Sequence, residues 1–269
     1  MVDVDKIIKI IKTSSEITGS IAGGAIGLIG GPGGVILGGV SGVMITKGLI
    51  ELTDRYLTNR EKLRVAAAVT YSINSIGHRL ESGEQVRTDN FFSESDGRSH
   101  AAELIEGILL KCRNQHQEKK IKYISNIYTK ATFDNYLTME IANQILYLAE
   151  SMTYRKFCIL AFLFQINMHE NVALRNDDYY VEGEMKRLSK QMPLELQLVL
   201  QDILELFSSG LLKSNDDTTL LEYTMINPSE LGLTSFGIMF CEALGLEELH
   251  INEFYNIIDL LETRGDMKQ

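Results

Sequence analysis

The chain has 269 residues, 45% hydrophobic and 23% charged, the balance of a globular protein with room for one large domain or two small ones. A net charge of −10 argues against a general nucleic-acid binder. Three widely spaced cysteines, Cys112, Cys158 and Cys241, exclude a disulfide framework and suit a reducing compartment. The acidity is one-sided, because residues 150–269 hold 9 Lys/Arg against 20 Asp/Glu while residues 1–149 hold 17 against 16.

Val2 to Lys12 places Val4, Ile7, Ile8 and Ile11 on one helical face, with Lys6, Lys9 and Lys12 mostly off it. This predicts a short basic amphipathic helix, either a membrane-surface anchor or a packed N-terminal helix. The next stretch, Ile17 to Thr46, has no charged residue over 30 positions. It is too long and glycine-rich for the apolar core of a signal peptide, so no cleaved leader is expected. Twelve of the 22 glycines lie between Gly19 and Gly48. They form two runs at four-residue spacing: Gly19, Gly23, Gly27, Gly31, and Gly30, Gly34, Gly38, Gly42. On a helix that spacing clears one face, so that another backbone can approach closely. Glycine costs a helix in water roughly 0.8–1 kcal/mol per residue against alanine, so order here calls for a bilayer or a tight helix partner. Pro32, at the centre, breaks or bends the helix. Two forms fit: a kinked single span, or a helical hairpin that inserts partway. The soluble alternative is a buried glycine-rich hairpin in an oligomer. Lys47, Arg55 and Arg60 beyond the stretch, with Lys6, Lys9 and Lys12 before it, favour a hairpin with both ends on the cytosolic side.

Residues 49–152 read as an antiparallel helical bundle. A long helical pattern runs from about Leu49 to Leu80, followed by a polar loop from Ser82 to Ser99 that Phe91 and Phe92 pin to the core. Further helices are expected at about His100–Cys112, through Ile121–Tyr128, and at about Asn135–Met152, with Arg113–Lys120 as a polar turn or exposed segment. After about Thr153 come a strongly apolar helix (YRKFCILAFLFQI) and an amphipathic helix from Pro193 to Ser209 stopped at Gly210. Two short strands around Asn215-Asp216-Asp217 follow. The chain ends with a helix capped by Thr234 or Ser235 and a last helix at about Asn252–Thr263. The predicted fold is mainly α, in three parts: 1–48, an amphipathic helix plus glycine-zipper segment; 49–152, a bundle; and 153–269, an acidic module with a short β-hairpin.

The order of helix, helix ending in Gly-Leu-Leu, short hairpin and a further helix opened by Leu233-Thr234-Ser235-Phe236-Gly237 resembles a winged-helix domain over roughly 153–250. In that family the helix before the wing usually enters a DNA groove. Here it carries Glu195, Asp202 and Glu205 and no Lys or Arg, and phosphate contacts need cations. The resemblance therefore implies the shape and a protein-interaction role, with nucleic acid not expected as a partner.

Catalytic and metal motifs fail on their residues. Lys47 follows Thr46 and precedes Gly48, the wrong order for a phosphate-binding loop. His169-Glu170-Asn171-Val172-Ala173 lacks the second histidine of a zinc protease, and His78, His100, His116 and His250 are isolated. Asp177, Asp178, Glu182 and Glu184 read as a solvated loop. No catalytic, cofactor-binding or metal residue is predicted, and the chain is not expected to be an enzyme. The membrane and self-association residues are Gly19, Gly23, Gly27, Gly31, Gly34, Gly38 and Gly42, and the membrane-surface residues are Lys6, Lys9, Lys12 and Lys47. The architecture resembles bacterial toxins and abortive-infection (phage-defence) effectors. That resemblance implies a non-enzymatic protein at the cytoplasmic side of the inner membrane, peripheral or integral. Its partners would be the lipid bilayer, further copies of itself, and a protein bound by 153–269. The alternative is a soluble oligomeric adaptor that uses the same acidic module.

Overall fold

The computed structural model describes residues 57–94, 97–166, 193–214 and 226–261. The expected N-terminal helix, the glycine stretch, the Asp177–Glu184 loop and the Asn215–Asp217 turn lie outside the described residues. Among those described, the chain is mainly helical, with eight α-helices and one two-stranded sheet. It divides into two units, Met1–Met152 and Thr153–Gln269.

In the first unit, α1 (Asn59–Glu81) opens on a capping box. Thr58 Oγ1 accepts from Glu61 N at 3.3 Å, and a Glu61 carboxylate oxygen accepts from Thr58 N at 2.7 Å. Thr58 has extended backbone, so this helix starts at Asn59, later than the pattern from Leu49 implies. Six consecutive residues, Val65 to Thr70, are buried. A helix buried all round must be lined by small or apolar side chains, and Ala66, Ala67 and Ala68 meet that need between the partners α2 (His100–Asn114) and α3 (Lys120–Phe133). Ser72 Oγ reaches the Ser125 carbonyl of α3 at 3.3 Å, a sign of how closely the two helices approach. The fourth helix, α4 (Met139–Ser151), packs on α2 and α3 and is capped by Thr138. On α2 the apolar side chains Leu104, Ile105, Ile108 and Leu109 are buried. In the loop, Phe91 is buried and meets Phe92 edge-on, with ring centroids 5.0 Å apart.

The polar run before α3 hides an exception. Lys120 is 1% exposed, and its ammonium donates to the Glu150 and Met152 carbonyls at the end of α4. Those carbonyls have no partner within their own helix, and the cation also meets the negative end of the helix dipole. Lys120→Met keeps the stem but removes the donor. We expect a loss of about 2 kcal/mol in urea unfolding, the cost of leaving buried acceptors unpaired.

The second unit is built around α5 (Tyr154–Gln165), buried from Lys156 through Leu163. It touches α6 (Leu194–Ser208), strand β2 (Leu231–Leu233), α7 (Ser235–Leu244), the 3-10 turn Leu246–Glu248 and α8 (Tyr255–Leu261). Its end is held by Gln165, whose side-chain amide donates to the Leu246 and Leu249 carbonyls at 2.9 and 3.1 Å. Phe157 meets Phe240 of α7, and Phe162 meets Phe254, at centroid distances of 6.3 and 6.1 Å. Gly245 closes α7 with φ +69, a conformation that side-chained residues rarely adopt.

The described sheet is short. Strand β1 (Leu212–Ser214) pairs antiparallel with Leu231–Leu233, in the register Leu212 with Leu233 and Ser214 with Leu231. Its partner among the described residues is the segment just before the Thr234 cap. A three-residue strand running into a helix cap has too few residues to show a two-residue period.

Candidate functional site

The predicted membrane and self-association residues, Gly19 to Gly42 with Lys6, Lys9, Lys12 and Lys47, lie outside the described residues. Among those described, no helix is long and apolar enough to cross a membrane. Nor does any group of three His, Cys, Asp or Glu among them form a metal site. His78, His100, His116 and His250 are exposed. All three cysteines are buried, and burial pushes the Cys112 and Cys241 thiols far above their ordinary range, so the nucleophilic thiolate is suppressed at both.

The surface cations of the first unit are held by neighbouring acids. Arg60 and Arg64 of α1 both bind Glu118, the latter at 2.9 Å, and Arg79 forms a forked contact with Glu84, down to 2.6 Å. Arg79 draws the Glu84 carboxyl below the ordinary range, and at Glu118, where burial acts to raise the carboxyl, the hydrogen bonds from Arg64 and Arg60 outweigh it and leave it lowered. Arg60, Arg64 and Arg79 of α1 are thus each paired with an acid.

The same holds, with signs reversed, for α6. Asp202 is buried and accepts from Arg155 Nε at 2.5 Å, and Glu205 pairs with Lys156. Lys156, by hydrogen bond first, draws the Glu205 carboxyl down. Two of the three acids on this helix therefore serve contacts with α5, and Glu195 alone faces solvent without such a tie. The outward stripe is Leu194, Leu198, Gln201, Glu205 and Ser208. Leu194 and Leu198 are 64% and 42% exposed, high values for leucine on a stable helix.

An open polar groove of about 520 Å³ lies in the first unit, between the ends of α1 and α3 and the segment 85–88. Arg87 anchors one wall. Its Nη1 donates to the carbonyls of Ala131, Asp134 and Leu137 at 3.0, 2.9 and 3.1 Å. Its Nε and Nη2 grip Asp89 at 2.8 and 2.5 Å, and the guanidinium stacks on Phe91 at 4.5 Å. Arg79 and Lys130, the other cations lining the groove, contact Glu84 and Asp134. Every cation here already has a carboxylate, so the groove carries little net field for an anion. Arg87 and Lys120 were not legible from spacing, because each acts on carbonyls 30 or more residues away in sequence.

Comparison with protein-family models, with curated proteins and with solved structures finds no match to this chain.

Proposed function

We propose that this protein is a non-enzymatic, membrane-associated effector whose segment Ile17–Thr46 self-associates through its glycine faces and perturbs the bilayer. The reading is carried by the 30 uncharged positions with their two glycine runs at four-residue spacing, ahead of a helical body. Two features of the described residues support a division of labour. The arginines of α1 are engaged by acids, which leaves the membrane contact to Lys6, Lys9, Lys12 and Lys47 and the apolar stretch. Among the described residues the second unit runs α5, α6, β1, β2 and α7 in sequence, which supports a winged-helix-like reading. The outward stripe of its α6 has no cation, which suits a protein partner better than DNA.

The test is fractionation of the full-length protein with carbonate and high-salt washes of the membrane pellet, together with membrane potential in expressing cells. Full-length protein resists both washes and collapses the potential. Deletion of 17–46 releases the protein to the supernatant and restores the potential. Gly27→Leu and Gly38→Leu retain the protein in the pellet but block assembly. Recovery of the intact protein in the supernatant, with potential unchanged, overturns the membrane reading. It then favours a soluble adaptor assembled through the same glycines, for which the exposed Leu194 and Leu198 offer a contact surface.

A further inference from the structure

We infer that the outward stripe of α6 is a docking surface for an amphipathic, lysine- or arginine-bearing helix of a partner protein. This rests on reading residues 153–269 as a partner-binding unit and names the surface and the chemistry of the partner. Leu194 and Leu198 stand four residues apart on one helix face, both substantially exposed. Gln201, Glu205 and Ser208 continue the same line. From Leu194 to Ser208 it runs roughly 21 Å at 1.5 Å per residue, the length of a partner helix of about four turns. Such a helix laid along it would bury its apolar face on the two leucines and meet polar groups beyond them.

Charge selects the occupant. The stripe carries Glu205, with Glu195 beside it, and no cation. Among the described residues, Arg155 and Lys156 of α5 are bound to Asp202 and Glu205. From Ser214 to Thr263 the unit has no Lys or Arg, and Glu242, Glu247, Glu248, Glu253 and Asp259 are all exposed. Phosphate backbones and anionic headgroups would meet this field with repulsion. A second copy presenting the same stripe would bring glutamates against glutamates, in the two-fold way that isologous contacts require. An apolar helix face flanked by cations meets both the leucines and the field. With two leucine anchors the contact belongs to the small, transient class.

The experiment titrates full-length protein with a 14-residue leucine/lysine peptide patterned as an amphipathic helix, and with its leucine/glutamate counterpart. Anisotropy of a labelled peptide is the readout. The lysine peptide binds and the glutamate peptide does not. Leu194→Ser with Leu198→Ser weakens binding at least tenfold, with the far-UV circular dichroism unchanged. Glu195→Lys weakens the lysine peptide and admits the glutamate peptide. Equal binding by wild type and the double serine variant means diffuse acidity holds the peptide, which overturns the stripe and leaves partner binding elsewhere in 153–269 standing. No binding to wild type overturns the proposal outright. Neither result bears on the membrane reading, which the pellet decides.

Discussion

Gly237→Ala is expected to destabilise the second unit by about 3 kcal/mol or more, against the direction that helix propensity predicts. Gly237 lies inside α7, where alanine is ordinarily better than glycine by roughly 0.8–1 kcal/mol. Here a Cβ would stand 2.1 Å from the Leu211 carbonyl oxygen and 3.0 Å from its carbon. Both are backbone atoms, so relief requires moving the chain rather than rotating a side chain. The surroundings resist that movement. Thr234 N donates to the same Leu211 carbonyl at 3.0 Å, and Thr234 Oγ1 donates to the Gly210 carbonyl at 2.7 Å. Thr234 Oγ1 also accepts from Gly237 N at 2.9 Å, capping α7. The start of α7 is thus fastened to the turn after α6, and glycine at 237 is what lets the two backbones meet. Gly107 of α2 provides the control, because its added Cβ would find only Leu146 Cδ2 at an ordinary 3.4 Å. Gly107→Ala should be neutral or stabilising by up to about 1 kcal/mol. Urea unfolding gives the two signs, and amide exchange should show lost protection in α6, β1 and α7 for Gly237→Ala. Unchanged stability in that variant would mean the close approach is not held in solution.

The contrast between these two glycines shows where reading from sequence stops. The four-residue glycine runs of 17–46 are visible because they form a local pattern. Gly237 is one glycine in an amphipathic helix, and its importance comes from Leu211, 26 positions earlier. The same division runs through the fold. Helix α2 and the last helix were legible from their three-four spacing, and Leu104, Ile105, Ile108, Phe254, Ile257 and Leu261 are all buried. On α6 the three-four spacing of apolar residues picks out Leu196, Val199, Leu200 and Ile203, which are buried, and also Leu204 and Phe207, which are half-buried. It does not announce the burial of Leu206 or Asp202. Asp202 was read as surface acidity because a carboxylate is normally solvated. Its burial depends on Arg155, a pairing across 47 residues that no local pattern announces. The acidic helix against which DNA binding was argued is therefore less acidic outward than its composition suggests. Its exposed leucines, Leu194 and Leu198, therefore stand beside the remaining acidity in the case for a protein partner.

Arg87→Ala is expected to cost the first unit about 4 kcal/mol, a loss in the class of a broken buried ion pair. The side chain is 5% exposed and contacts four backbone carbonyls, those of Ala131, Asp134, Asn135 and Leu137, as well as Asp89. Three of those carbonyls lie at or just beyond the C-terminal end of α3, where no intrahelical donor remains, and the cation also faces the negative end of the helix dipole. Arg87 N itself donates to the Thr132 carbonyl at 3.0 Å, so the loop is joined to the helix by backbone and side chain together. Removing the guanidinium strands the carbonyls, leaves Asp89 without its counter-charge and uncovers Phe91. Arg87→Lys should recover only part of the loss, because an ammonium is a point charge and cannot fork between Asp89 and the carbonyls. Acid sensitivity follows from the same contact. The hydrogen bonds from Arg87 hold the Asp89 carboxyl below its ordinary value of about 3.9. A carboxyl depressed in the folded state contributes stability above the unfolded value, and that contribution fades as pH falls through the folded one. Wild type should therefore lose stability below pH of about 4 more steeply than Arg87→Ala, in which Asp89 lacks the hydrogen bond that lowers it most. Parallel urea midpoints for the two proteins across that range would show that the Arg87–Asp89 contact does not form.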